Sequence, residues 1–299
     1  MRALRFHEYG DPTVLVLDDV PEPHAGPGQV RISVRATSVN PLDWKIRAGF
    51  LAKMRPTTFP AVTGSDAAGT VDEVGEGVAD VQVGDEVFGL ASGSAAEQAV
   101  LTAWAPVPGT WTTEQAGAAG LAATTAVAGL NALGDIAGKT VLVEGAAGGV
   151  GSAAVQVAIA RGATVVGTAS EANHDFLRAL GALPTTYGPN LAERVAVLAP
   201  GGVDAALDTA GSGSLADLVV LVGDPSKVAT IADFGAAALG ASMVAGTANA
   251  ATDLAKVARL GQDGALVVHV QATFPLEQGG EAQALVQGGH TRGKVVITL

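Results

Sequence analysis

Gly145-Ala146-Ala147-Gly148-Gly149-Val150-Gly151 is the segment whose residue types say most about chemistry. Binding a pyrophosphate takes close approach to the backbone, free N–H groups and the positive end of a helix dipole. Glycines provide the approach and the tight turn. The spacing is A-x-G-x-x-G, with Ala146 where the common dinucleotide fingerprint has its first glycine. In a chain with 40 glycines such a turn means little by itself, so its flanks decide. An apolar run, Thr140-Val141-Leu142-Val143-Glu144, precedes it, and Ser152 to Ala158 reads as the helix it opens. About twenty residues on, a second strand ends at Thr168-Ala169-Ser170-Glu171. Ser170 at that tip suits a ribose 2′-phosphate. Glu171 has two readings, a first-turn residue of a helix capped by Ser170 or an acceptor for the ribose hydroxyls of NAD.

The turn needs a parallel sheet beneath it. Residues 140–144, 163–168, 204–208 and 227–231 read as its strands, near-continuous apolar runs separated by helical stretches. The first hundred residues differ. Val30 to Ala36 alternates with period two, Ala68 to Gly75 looks similar, and turns follow at Gly75-Glu76-Gly77 and Gly84-Asp85. Short strands at that spacing indicate a small barrel or sandwich. A helix starts near Thr112-Thr113-Glu114, another covers Asp253 to Leu260, and the tail returns to strand at Lys294 to Leu299. The expected layout is a doubly wound domain, 113–248, inserted between 1–112 and 249–299 of a β-rich domain.

Composition narrows the class. Hydrophobic residues make up 48% and charged residues 15%, as in a compact globular chain. No apolar run reaches the length of a membrane span, and the N-terminus has no leader-like apolar core, so the cytoplasm is the expected address and no membrane partner is expected. With 17 basic and 29 acidic residues the net charge is -12, the wrong sign for nucleic acid. There is no cysteine, which removes disulfides and thiolate metal sites. The five histidines, His7, His24, His174, His269 and His290, are scattered.

In order and spacing the chain resembles the zinc-independent quinone oxidoreductases of the medium-chain dehydrogenase/reductase superfamily. The resemblance runs through Asn40-Pro41-Leu42-Asp43-Trp44-Lys45, Gly64-Ser65-Asp66-Ala67-Ala68-Gly69, Val74 to Val78, Val83 to Phe88, the glycine turn, and His290 to Val296. Zinc-dependent cousins carry a cysteine in the Asn40 segment and a His-Glu pair in the Gly64 segment; Asn40 and Ser65-Asp66 stand there instead. No metal is therefore expected. The resemblance implies a Rossmann doubly wound parallel sheet plus a β-rich GroES-like domain, an α/β fold with the active site between the two. It implies NADPH, with NADH possible, hydride transfer to a quinone or an enone, and a homodimer. Asn40 and Thr125 correspond to positions flanking the nicotinamide, Tyr187 lies near the adenosine half, and Asp208 ends a strand whose loop borders the cofactor. Asn40, Asp43 and Lys45 are the expected catalytic residues; Gly145, Ala146, Gly148, Gly149, Val150, Gly151 and Ser170 complete the cofactor set. Asn40 or Lys45 could steady the acceptor oxygen. A competing reading places Lys45 at the surface with its stem on Trp44, and others make Asn40 and Asp43 turn formers and Tyr187 a packing residue. The chain departs from many NADPH-preferring relatives in having Glu171, Ala172 and Asn173 where a Lys or Arg follows the Ser170 position, and the match is poor after residue 211. Two further functions fit the same motifs: an enoyl reductase of polyketide or acyl intermediates, and a dinucleotide-binding protein without catalysis.

Overall fold

The computed structural model describes residues 1–246 and 248–299. In chain order come β1 (Arg2–Phe6), β2 (Val16–Asp19), β3 (Val30–Val39), α1 (Pro41–Arg47), β4 (Ala61–Val62), β5 (Asp66–Val74), β6 (Glu86–Ala91), β7 (Gln98–Pro106) and α2 (Thr113–Ala132). Strand and helix then alternate: β8 (Thr140–Glu144), α3 (Gly149–Ala160), β9 (Thr164–Thr168), α4 (His174–Ala179), β10 (Leu183–Thr185), α5 (Leu191–Leu198), β11 (Ala205–Asp208), α6 (Leu215–Val222), β12 (Val228–Thr230) and β13 (Ser242–Met243). The chain ends with α7 (Ala250–Gln262), β14 (Val270–Pro275), α8 (Gly279–Gln287) and β15 (Lys294–Thr298). Two compact units result. One comprises Met1–Leu121, Ala250–Gln262 and Val267–Leu299; the other comprises Ala122–Asn249 and Asp263–Leu266.

The first unit is β-rich. Its main sheet runs β14-β15-β3-β5-β6-β7, and a further β3–β7 pairing curls it back on itself. The ten-residue β3 makes this possible: Val30 to Ser33 pair with β7, while Ala36 to Val39 pair with β15. The alternation seen in the sequence holds over the first half, where Val30, Ile32 and Val34 join Val71, Val87 and Leu101 in one core cluster. Each such side chain is worth about 1.5–3 kcal/mol on burial. Beyond Arg35 the alternation stops and residues 36–40 are all buried. The register Val295↔Val39 then sets Lys294, the first residue of β15, beside Asn40.

The second unit is the doubly wound sheet. Its strands are all parallel, in the order β10-β9-β8-β11-β12-β13, so winding reverses between β8 and β11. Val141, Leu142 and Val143 are fully buried, as a strand covered on both faces requires. Ligands of such sheets bind outside the carboxyl ends of the strands at the reversal. Here that place is occupied by the glycine turn after β8 and the loop after Asp208. Among the described residues no helix is long and apolar enough to cross a membrane.

Candidate functional site

The glycine turn is built to the demands of its position. Gly145 has φ of 72°, a left-handed value that a side chain rarely takes. Its N–H donates to Thr168 Oγ1 at 3.2 Å, and the Gly148 N–H returns to Gly145 O at 3.0 Å, closing the turn. A Cβ on Gly151 would lie 2.2 Å from Gly145 O, so helix α3 meets the turn backbone to backbone. A Cβ on Gly148 would meet only Gly145 O, at 3.4 Å, with otherwise open space. Backbone packs closely against Gly151, while a Cβ on Gly148 would have open space around it. Gly148 is the N-cap of α3, and Ser152 N→Gly148 O is the first helical bond, so the N–H groups of Gly149, Val150 and Gly151 belong to the unpaired first turn. This cradle fits a pyrophosphate. Ala146, buried completely, has room for its methyl because β9 carries Gly167 opposite it; a Cβ there would come within 2.9 Å of that methyl.

The other residues expected at the cofactor stand as follows. Ser170 is the N-cap of the short 171–173 turn, and its Oγ accepts from Asn173 Nδ2 at 3.1 Å. Glu171 is exposed. Tyr187 is 51% exposed on the loop after β10, which Arg194 pins by donating to the carbonyls of Thr186, Tyr187, Gly188 and Pro189. Asp208 is buried with both oxygens engaged: Oδ1 accepts from the Ala210 and Gly211 N–H groups and Oδ2 from Thr230 Oγ1. It shapes the loop at the reversal point. Thr125 lies buried on α2. Glu144, which sequence reasoning passed over, ends β8 buried under the hydroxyls of Ser212 and Ser214; desolvation pushes its carboxyl above the usual range.

In the β-rich unit, Asn40 and Asp43 belong to one buried polar network. Asn40 Oδ1 accepts from Lys294 Nζ, while its Nδ2 donates to Asp66 Oδ1 at 3.0 Å and to Ser38 Oγ at 3.3 Å. An amide oxygen toward the ammonium and an amide nitrogen toward the carboxylate is the only chemically sensible orientation. Asn40 thus couples a buried cation to a buried anion, and both its N–H groups are spent. Asp66, fully buried, also accepts from Ser38 Oγ at 2.7 Å and from Leu121 N at 2.8 Å. Lys294 lies wholly inside; burial pulls its ammonium below the ordinary 10.5, and Asp66 and Asp43 partly restore it.

Asp43 sits one helical turn from Asn40. Its Oδ2 accepts the Asn40 N–H at 2.7 Å, capping α1, and its Oδ1 accepts the Ser65 hydroxyl at 2.6 Å. Burial raises its carboxyl to about 6, against those two hydrogen bonds and the Lys294 charge, with Asp66 adding to the rise. Asp43 and Ser65 line a cavity of about 370 Å³, whose wall also includes Leu42, Ile46, Thr63 and Leu121, with Arg55 at its exposed edge. Lys45 is not among the lining residues; it is half-buried with its ammonium 5.8 Å from the Trp44 ring centre, the arrangement of a stem laid on the indole. Replacing Lys45 by methionine is expected to leave turnover within about twofold of the parent.

Sequence reasoning missed Lys294, Asp66, Ser65 and Ser38 as network members. One signal was available for Lys294, a lone cation opening an otherwise apolar strand.

Comparisons with known proteins give the chain its relatives. The family described as alcohol dehydrogenase GroES-like domain matches residues 26–134, and that described as zinc-binding dehydrogenase matches residues 186–297. Chloroplastic quinone-oxidoreductase QR1 of Triphysaria versicolor is 30% identical over 324 residues, covering 99% of this chain and 98% of that protein. Polyketide synthase GfsB of Streptomyces halstedii is 49% identical over 157 residues, which is 52% of this chain but only 3% of the synthase. Among solved structures, mycobacterial Rv1454c complexed with NADPH superimposes with a TM-score of 0.88 at 28% identity, each chain covered in full at 100%.

Proposed function

The chain belongs to the quinone oxidoreductase family of the medium-chain dehydrogenase/reductase superfamily, and from that premise we propose that it is a zinc-independent, NADPH-dependent reductase of quinones or α,β-unsaturated carbonyls. The observation that carries the proposal is the glycine cradle at the reversal point of the doubly wound sheet, close-packed at Gly151 and with room for a Cβ at Gly148. A nicotinamide cofactor held there supplies a hydride. The turn and the first N–H groups of α3 hold its phosphates, Ser170 offers a hydroxyl to a 2′-phosphate, and Tyr187 and Thr125 flank the remainder. The cavity of the β-rich unit takes the acceptor. The family's partner arrangement, a homodimer, is proposed with it.

Zinc independence rests on donor chemistry. The chain has no cysteine, Asn40 and Ser65 occupy the positions where zinc-dependent cousins place ligands, and among the described residues no three His, Cys, Asp or Glu are gathered to hold a metal. A second reading, an enoyl reductase acting on acyl or polyketide intermediates, is favoured by the 49% identity to a segment of a polyketide synthase.

A single assay separates these readings. NADPH oxidation is followed with quinones, short enones and acyl thioesters, each with and without prolonged chelation. Turnover with quinone or short enone, unaffected by the chelator, is expected; thioester turnover that improves with acyl length would install the second reading. Loss on chelation restored by zinc would overturn metal independence. The preference for NADPH over NADH should be modest. A charge-assisted contact is worth about 1.5–3 kcal/mol, and without a Lys or Arg beside Ser170 one to two decades of discrimination are missing.

A further inference from the structure

Reduction of a quinone or an enone needs a proton as well as a hydride, and the three residues expected to serve the acceptor do not provide an evident donor. Asn40 has both N–H groups engaged, Lys45 rests on Trp44, and the Asp43 carboxyl is turned to Ser65 and the Asn40 backbone. The cavity wall carries the hydroxyls of Thr57, Thr58, Thr63, Ser65 and Ser92, and that of Ser65 is hydrogen-bonded to the buried Asp43 carboxyl, 2.6 Å from its Oδ1.

Building on the reductase reading, we propose that Ser65 is the catalytic proton donor to the reduced acceptor, and that Asp43 reloads it through the contact between them. With Asp43 ionised, the serine hydroxyl donates to the carboxylate. With Asp43 protonated, the same contact runs in reverse: the carboxyl O–H donates to Ser65 Oγ, and the serine proton is free to point into the cavity. In the enone case, hydride adds to the β-carbon and the π pair of the C=C bond moves to give an enolate. The Ser65 O–H bond then breaks as a new O–H bond forms on the enolate oxygen. The Asp43 O–H bond breaks as Ser65 recovers its proton, and water returns a proton to Asp43. The enol settles to the saturated carbonyl. The sum is NAD(P)H, one proton and the enone going to NAD(P)+ and the saturated product; a quinone follows the same path to the hydroquinone.

The surroundings suit this task. Asp43 is nearly fully buried, and the charges acting on it are Asp66 from β5 and Lys294 from β15; Arg55 lies on the cavity wall, and on its own helix Lys45 rests on Trp44 while Arg47 donates to Gln283, Gln287 and Gly10 O. Desolvation lifts the carboxyl to about 6, within reach of neutral conditions. The protonated, delivering form therefore fills as pH falls through 6. A carboxyl left near 3.8 would be empty of protons across the working range.

The test is the pH profile of kcat/KM between pH 5.5 and 8.5 for the parent, Ser65→Ala, Ser65→Thr and Asp43→Asn, with NADPH affinity measured alongside by fluorescence. The parent should gain at least tenfold from pH 8 to pH 6. Ser65→Ala and Asp43→Asn should both lose that limb, falling at least tenfold at pH 6 while binding NADPH as before, and Ser65→Thr should keep it. The parent's solvent deuterium isotope effect should vanish in Ser65→Ala. If the parent turns over and Ser65→Ala retains both limb and isotope effect, the donor lies elsewhere and this assignment falls alone. If the parent reduces none of the acceptors, the assignment falls together with the reductase reading. Should Ser65→Ala fail to bind NADPH for want of a fold, Asp43→Asn and Ser65→Thr decide: a pH limb that Asp43→Asn keeps, or that Ser65→Thr loses, overturns the relay.

Discussion

Replacing Gly148 by valine is expected to raise the NADPH dissociation constant at least a hundredfold, about 2.7 kcal/mol, while the protein stays folded. Gly148 has φ of -74° and ψ of 177°, an extended conformation that suits a β-branched residue. The added Cβ meets only a carbonyl oxygen at 3.4 Å. Loss of glycine at an N-cap costs up to about 1 kcal/mol, so the melting temperature should fall by no more than a few degrees. The isopropyl group then stands where, on the proposed reading, the pyrophosphate approaches. Gly151→Ala provides the contrast. Its methyl would press on Gly145 O at 2.2 Å and Ala146 Cα at 2.8 Å, both backbone, so affinity and stability should be lost together. Calorimetry and cofactor fluorescence on the two variants separate the outcomes. A Gly148→Val protein that binds NADPH like the parent would mean that the turn is not the phosphate site.

That pair of glycines also marks what a sequence can reveal. The strand, turn and helix from 140 to 160 were legible because each is local: an apolar run, glycines at fixed spacing, a helix opened by them. Strand β10 was not, since it is three residues long and contains Pro184, tolerable only because it lies at the sheet edge. The expected border at 112/113 and the observed one at 121/122 differ for a tertiary reason. A Cβ on Gly117 would strike Ala36, and one on Gly120 would strike Gly89 O and Asp66 Cβ. These glycines let the first turns of α2 lie directly on the β-rich sheet, so that stretch packs there. The Asn40 network was hidden for the same kind of reason. Lys294 and Asn40 are 254 residues apart and meet only through the β15–β3 register.

Replacing Lys294 by methionine should therefore destabilise the β-rich unit by about 3–5 kcal/mol, because it strands buried carboxylates rather than removing a surface charge. Methionine keeps the length and apolar stem. What disappears is the ammonium that Asn40 Oδ1 accepts from and that faces Asp66 and Asp43, which are 0% and 4% exposed. At about 2–4 °C per kcal/mol, melting should fall by roughly 10 °C at pH 7. A second change tests the cause. Asp66→Asn in the Lys294→Met background removes one stranded charge and leaves an amide able to accept from Asn40 or Ser38, so the double variant should recover part of the loss and the two changes should not add. The pH dependence has a definite sign. Burial holds the lysine's folded value below 10.5, so between that value and 10.5 the unfolded chain binds more protons than the folded one. On this group's account the parent gains stability as pH rises toward 10.5, and Lys294→Met should lack that gain. A Lys294→Met protein that melts at or above the parent at pH 7 would mean that desolvating the ammonium costs more than its partners return, and the network would owe its stability to hydrogen bonds alone.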